Sequence, residues 1–112
     1  MPEEIFESSV RTRGDLGCFL EADDETSYFY LYDLERDEGQ KVIGAIRVCV
    51  GRPQFRQADV VVCWDKDESR AGLFIRGELW AVFNVARNSK HGGGYGIGAR
   101  SSVPLEEHFS CG

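Results

Sequence analysis

Two apolar runs, Ala71 to Ile75 and Leu79 to Val85, flank Arg76-Gly77-Glu78 in the stretch RAGLFIRGELWAVFNV. A Gly-X pair between alternating hydrophobics signals a two-residue hairpin, which makes Gly77-Glu78 a type II′ turn with Gly at the positive-φ position. That turn pairs Ile75 with Trp80, Leu73 with Val82 and Phe74 with Ala81. Because side chains alternate along a strand, Ala71, Leu73, Ile75, Trp80 and Val82 are expected on one face. Gly72, Phe74, Leu79, Ala81 and Phe83 are expected on the other. Moving the turn to Arg76-Gly77 leaves both sets unchanged. Both faces are apolar, so the hairpin must be covered twice, by the rest of the sheet, by a helix or by a second copy of the chain.

Upstream, Leu16 to Ala22 and Thr26 to Tyr32 are strand-like on either side of Asp23-Asp24-Glu25, a second hairpin with an acidic loop. Tyr28, Tyr30 and Tyr32 share one face of its second strand and Phe29 and Leu31 the other. A tyrosine row of this kind reads as a half-buried face whose hydroxyls reach water, ahead of an exposed ligand platform. Lys41 to Val50 and Ala58 to Trp64 are rich in Val and Ile and read as further strands, with Gly44 marking a bulge or a close backbone approach. Residues 1 to 15 fit a short edge strand or a frayed arm. After Phe83 the pattern breaks: ARNSKHGGGYGIGARSS, residues 86 to 102, holds five of the 13 glycines and no acid. An irregular, mobile loop is expected there. Ser101 or Ser102 then caps a final short helix, with Pro104 near its first turn and Glu106 and Glu107 inside it. The expected fold is a single mainly β domain over residues 1 to 112. It is an antiparallel meander of about six strands, as a barrel-like roll or a two-layer sheet, with one short C-terminal helix.

Charge narrows the partners. The 112 residues carry 13 basic and 19 acidic side chains, a formal net charge of −6, which argues against nucleic acid and favours a basic partner. No apolar run is long enough for a membrane span, and the acidic N-terminal stretch MPEEIFESSV lacks the basic and apolar regions of a secretory signal, so a cytoplasmic location is expected. Cys18, Cys49, Cys63 and Cys111 form no C-x-x-C pair. The first three lie in expected strands and read as small buried hydrophobes, and Cys111 as an exposed thiol.

The glycine loop is the one sharp candidate for chemistry. Backbone N–H groups of Gly92, Gly93, Gly94, Gly96 and Gly98 could form an anion-binding nest, with Arg87, Lys90, His91, Tyr95 and Arg100 gripping the anion. The spacing matches neither G-x-G-x-x-G nor the Walker pattern. His91 and His108 lie at no metal-ligand spacing, and the sequence implies no metal, no cofactor and no catalytic constellation.

The run DDETSYFYLYD at 23 to 33, Trp64, and AGLFIRGELWAVFNV at 71 to 85 together resemble a small uncharacterised bacterial domain family of unknown function. The resemblance covers roughly residues 16 to 85 and implies an acidic turn, an aromatic strand, a Trp and a Gly-turn hairpin. It brings no activity, substrate or cofactor, and the Gly-rich segment after Phe83 departs from the shorter tail it implies. Two functions stay open: a non-catalytic, acidic protein-binding or regulatory module of the immunity type, and a small-molecule or anion-binding domain, enzymatic or not, using the basic Gly-rich loop 87 to 100. About six strands leave apolar surface to cover, so a homodimer is expected, through Phe74, Leu79 and Phe83 or through Leu73, Ile75 and Trp80. The competing outcome is a monomer in which residues 1 to 13 or 104 to 109 pack on the hairpin.

Overall fold

The computed structural model describes residues 4–111. Eight strands form two antiparallel four-stranded meanders. The first sheet is β1 (Ile5–Val10), β2 (Leu16–Ala22), β3 (Thr26–Asp33) and β4 (Val42–Val50), in that order. The second is β5 (Val60–Trp64), β6 (Arg70–Ile75), β7 (Glu78–Asn84) and β8 (Ser89–Gly92). The mainly β, two-layer expectation holds, but eight strands replace about six. The two additions are the segments with the weakest pattern: the charged arm β1, paired along its length with β2, and β8, inside the glycine stretch, paired with β7.

The expected C-terminal helix is absent. Leu105–Glu107 is a single 3-10 turn with Pro104 as its N-cap, and the chain on either side is extended because it lies along the outer face of the second sheet. Val103 and Phe109 pack there against Phe74, Leu79 and Val82, the Phe109 ring standing edge-on to Phe74 at 5.4 Å. Such a short segment gains nothing from helix nucleation when its side chains are already anchored singly.

The organising hairpin closes at Arg76-Gly77, both with positive φ (53° and 81°), which is a type I′ arrangement. Ile75 faces Glu78 and Phe74 faces Leu79, but Leu73 then faces Ala81, so Trp80 is the extra residue of a β-bulge. The bulge exchanges the faces of everything beyond it. Trp80, Ala81 and Phe83 join Ala71, Leu73 and Ile75 in the core between the sheets, while Val82 turns outward with Phe74 and Leu79. The expected grouping of Val82 with Leu73 and Ile75, and of Ala81 and Phe83 with Phe74 and Leu79, is thus reversed. Gly44 does mark a close approach: a Cβ there would lie 2.8 Å from the Phe83 ring, and β4 bulges beside it at Ile43.

The core is built from the inward residues of both sheets, among them Cys18, Leu20, Phe29, Ile46, Val48, Leu73 and Phe83, with the Phe29 and Phe83 rings 5.3 Å apart. One margin is stitched by Trp64 Nε1, which donates to the Ser9 carbonyl at 3.1 Å. At the other, the glycine segment crosses between sheets: Gly93 N–H donates to Trp80 O, Gly94 N–H to Arg47 O and Tyr95 N–H to Val48 O. Gly92 and Gly93 are required for that crossing, since a Cβ would lie 2.2 Å from Trp80 O and 2.5 Å from Arg47 O. The segment read as a mobile loop is a strap between the layers.

Cysteine placement departs from expectation as well. Cys63 and Cys111 are joined in a disulfide, with Cα atoms 6.0 Å apart. Their separation of 48 residues carries no motif, and only the return of the tail over β5 brings them together. Cys18 is buried, which pushes its thiol up to about 12, and the partly buried Cys49 thiol donates to the buried Ser27 hydroxyl.

Candidate functional site

The residues named for an anion site do not converge. Lys90 and His91 are neighbours on β8 and therefore point to opposite sides: Lys90 Nζ reaches across to the Ala45 carbonyl at 3.0 Å, and His91 lies on the outer face of the second sheet, 3.9 Å from Glu107. Tyr95 stands edge-on to Trp80 and Phe55, with ring centroids 4.7 and 5.6 Å away. Arg87 sits in the exposed β7–β8 turn, its backbone N–H donating to Asn84 Oδ1, and Arg100 is exposed in the tail. The N–H groups of Gly93 and Gly94 are already spent on carbonyls.

Three of the buried polar residues, Asp65, Asn84 and Glu107, gather around Arg70 in a cluster that the sequence pattern did not reveal, while the buried Ser27 lies apart with Cys49. Glu107, 4% exposed, accepts from Arg70 Nε at 2.9 Å and from Asn84 Nδ2 at 2.9 Å, and Arg70 also reaches Asp65 at 3.3 Å. Burial pushes the Glu107 carboxyl up, yet the Arg70 and Asn84 hydrogen bonds and the Arg70 and His91 charges outweigh it and hold it below its ordinary value. Every acceptor here has its donor, so the cluster is a polar clamp for the tail. Among the described residues no group of His, Cys, Asp and Glu side chains is placed to hold a metal ion.

The outer face of the first sheet differs in kind. The registers of β1 to β4 bring Phe6, Glu21, Tyr28 and Arg47 into one row across the sheet and Ser8, Phe19, Tyr30 and Ala45 into the next. Phe19 is central: its ring lies 5.5 Å from Phe6, 4.9 Å from Tyr30 and 5.3 Å from Tyr32, and Tyr28 stacks on Tyr30 at 5.7 Å. Phe6 is 55% exposed and the three tyrosines and Phe19 are half-buried, mostly by one another. Burial, with the Glu21 charge and Tyr28 beside it, holds the Tyr30 hydroxyl proton more firmly than usual, so it stays a donor. The tyrosine row was legible from its spacing. Its extension by Phe6 and Phe19 depends on strand register and was not.

Acidic turns, an aromatic strand and the Gly-turn hairpin stand in the order that the resemblance implied. A family model described as an uncharacterized protein conserved in bacteria (DUF2251) matches residues 2–94. The chain belongs to this family. The DUF2251 match reaches beyond the residues that carried the resemblance, taking in β1 and β8, and it ends at Gly94, within the strap. Arg87, Lys90 and His91 fall inside the matched region, whereas Tyr95, Arg100 and the tail that clamps the second sheet fall after it. No curated protein and no solved structure matches the chain. Among the described residues no helix is long and apolar enough to cross a membrane.

Proposed function

We propose that this DUF2251 protein is a non-catalytic binding module of the regulatory or immunity type, and that the outer face of β1 to β4 receives a basic protein partner. The observation that carries this reading is the joined aromatic surface of Phe6, Phe19, Tyr28, Tyr30 and Tyr32, left half-exposed while Phe74, Leu79 and Val82 at the centre of the opposite outer face lie under the tail. Aromatic side chains are enriched where proteins meet, because they offer large contact area at small entropic cost, and tyrosine keeps a polar tip for the wet state. Charge favours a cationic partner. Residues 1 to 50 hold 12 of the 19 acidic and 5 of the 13 basic side chains, and the acidic turns at 23 to 25 and 33 to 38 lie at the two ends of β3. A Lys or Arg steered by those turns would find tyrosine faces suited to cation–π contact.

A hexa-arginine peptide is the test probe, titrated at fixed ionic strength and followed by amide NMR. The expected result is saturable shifts along the outer face of β1 to β3. Tyr28→Ala with Tyr30→Ala, which leaves the charge unchanged, should weaken binding at least about tenfold. Undiminished affinity in that variant, or shifts confined to the acidic turns, would reduce the effect to general charge attraction. Sedimentation of the free protein accompanies the titration, because a second copy is the competing occupant of this face; the hairpin residues through which a homodimer was expected, Phe74, Leu79 and Phe83 or Leu73, Ile75 and Trp80, are buried within the chain itself. A mass that rises with concentration, and no longer does so after Tyr30→Ala, assigns the face to a second copy. The cytoplasmic setting is part of the proposal, and the disulfide tests it: trapping Cys63–Cys111 fully oxidised in cells would place the protein in an oxidising compartment instead.

A further inference from the structure

At one end of the sandwich the β4–β5 connection, the β6–β7 turn and the start of β1 enclose a cleft of about 510 Å³. Its walls carry three arginines, Arg52, Arg56 and Arg76, against one carboxylate, Asp24, and its floor includes the buried Ile5 and Phe55. Three arginines lining one hollow is unexpected in a chain of net charge −6. They are only loosely matched: Arg52 lies 3.6 Å from Asp24 and Arg76 lies 3.5 Å from Asp59, while Arg56 has no ion pair among the described residues. Arg76 Nη2 donates in addition to the Gln54 carbonyl at 3.4 Å, and the Arg52 and Arg76 side chains remain 79% and 53% exposed.

Arg76 adds an independent sign. It holds a left-handed backbone, φ 53°, at a turn position where Asn, Asp or Gly sits without strain. Glu68 and Asn88 share this backbone conformation in their turns, and what sets Arg76 apart is that its side chain lines the cleft. We infer that this cleft binds a small phosphate monoester, its dianion held by Arg52, Arg56 and Arg76 and its apolar part resting on Ile5 and Phe55. Planar guanidinium forks suit phosphate oxygens, and the cleft volume falls within the usual range for small-ligand sites. The cleft shares Asp24 with the acidic turn at 23 to 25 but contains none of the aromatic residues of the outer face, so each reading is tested separately.

Phenyl phosphate, inorganic phosphate and benzoate are titrated separately at fixed ionic strength, with arginine Nε–H and backbone amide resonances as the readout. Phenyl phosphate is expected to saturate, moving the Arg52, Arg56 and Arg76 side-chain signals and the Phe55 amide, and to bind more tightly than inorganic phosphate, which lacks the apolar part. The exposed double variant R52Q/R56Q should retain its fold by circular dichroism and lose at least about tenfold in affinity for phenyl phosphate. R76N should weaken binding too, with a melting temperature no lower than that of the parent, which a merely structural Arg76 would not give. Absence of saturable shifts, equal binding by R52Q/R56Q, or tighter binding of benzoate than of phenyl phosphate would each overturn the assignment.

Discussion

On the outer face of β5 to β8, Phe74, Leu79 and Val82 are 9%, 2% and 0% exposed; on the outer face of β1 to β4, Phe6 is 55% exposed and Tyr28, Tyr30 and Tyr32 are half-exposed. Both sheets are four-stranded antiparallel meanders, so topology does not account for the contrast. Coverage by the C-terminal tail does. Phe, Leu and Val offer water nothing, and the tail from Ser101 to Cys111 covers them, held by the Ser101 hydroxyl on Leu79 O, the Glu107 clamp and the Cys63–Cys111 bond. Tyrosines covering one another, with hydroxyls free for water, leave a surface that stays soluble in the open state and still has apolar area to bury on contact.

Removing the staple should have the largest effect on this contrast. The bond spans 48 residues, and replacing Cys63 and Cys111 with Ser should cost about 2–4 kcal/mol in a denaturant titration, with increased binding of a hydrophobic dye as Phe74, Leu79 and Val82 are uncovered. A pair of glycine substitutions sharpens it. A Cβ at Gly72 would lie 2.6 Å from the Phe109 ring and 2.9 Å from Leu79, whereas one at Gly17 on the other outer face meets Tyr32 and Val10 at 3.2 and 3.3 Å. Gly72→Ala should therefore cost about 1–3 kcal/mol by overpacking and Gly17→Ala distinctly less, both read from thermal unfolding.

The clamp makes the covered face sensitive to acid. The carboxyl of Glu107 has a lowered folded-state pKa, so its contribution is full above the ordinary value of 4.5 and is lost as pH falls through the lowered value. Stability profiles of parent and Glu107→Gln should differ most above 4.5 and converge toward more acid pH. The smallest effect belongs to the open face. Tyr30→Ala should change stability by about 1 kcal/mol or less.

The central strands were legible because their composition is dense in Val, Ile and aromatics and their turns carry Gly or Asp. Asp23 shows this directly, its Oδ1 accepting the N–H groups of Glu25 and Thr26 to close the β2–β3 hairpin. The bulge at Trp80 was not legible, because both neighbouring residues are apolar and either face could take them; only the partner strand decides. The glycines at 92 and 93 suggested looseness, since sequence does not show that Trp80 O and Arg47 O crowd their α-carbons. Likewise Arg76, from the β6–β7 turn, meets Arg52 and Arg56, from the β4–β5 connection, and the Glu107 cluster joins residues 23 and 37 positions apart, beyond the reach of any local pattern.

A soluble paramagnetic agent added to the ring- and methyl-labelled protein tests the open-and-covered account most directly, because broadening reports access to each face separately. The account predicts strong broadening of Phe6, Tyr28 and Tyr30 ring signals, with Phe74, Leu79 and Val82 spared until the Cys63–Cys111 bond is reduced. Equal broadening of Phe74, Leu79 and Val82 in the oxidised protein, or protection of the Phe6 and Tyr28 rings in the free monomer, would contradict it.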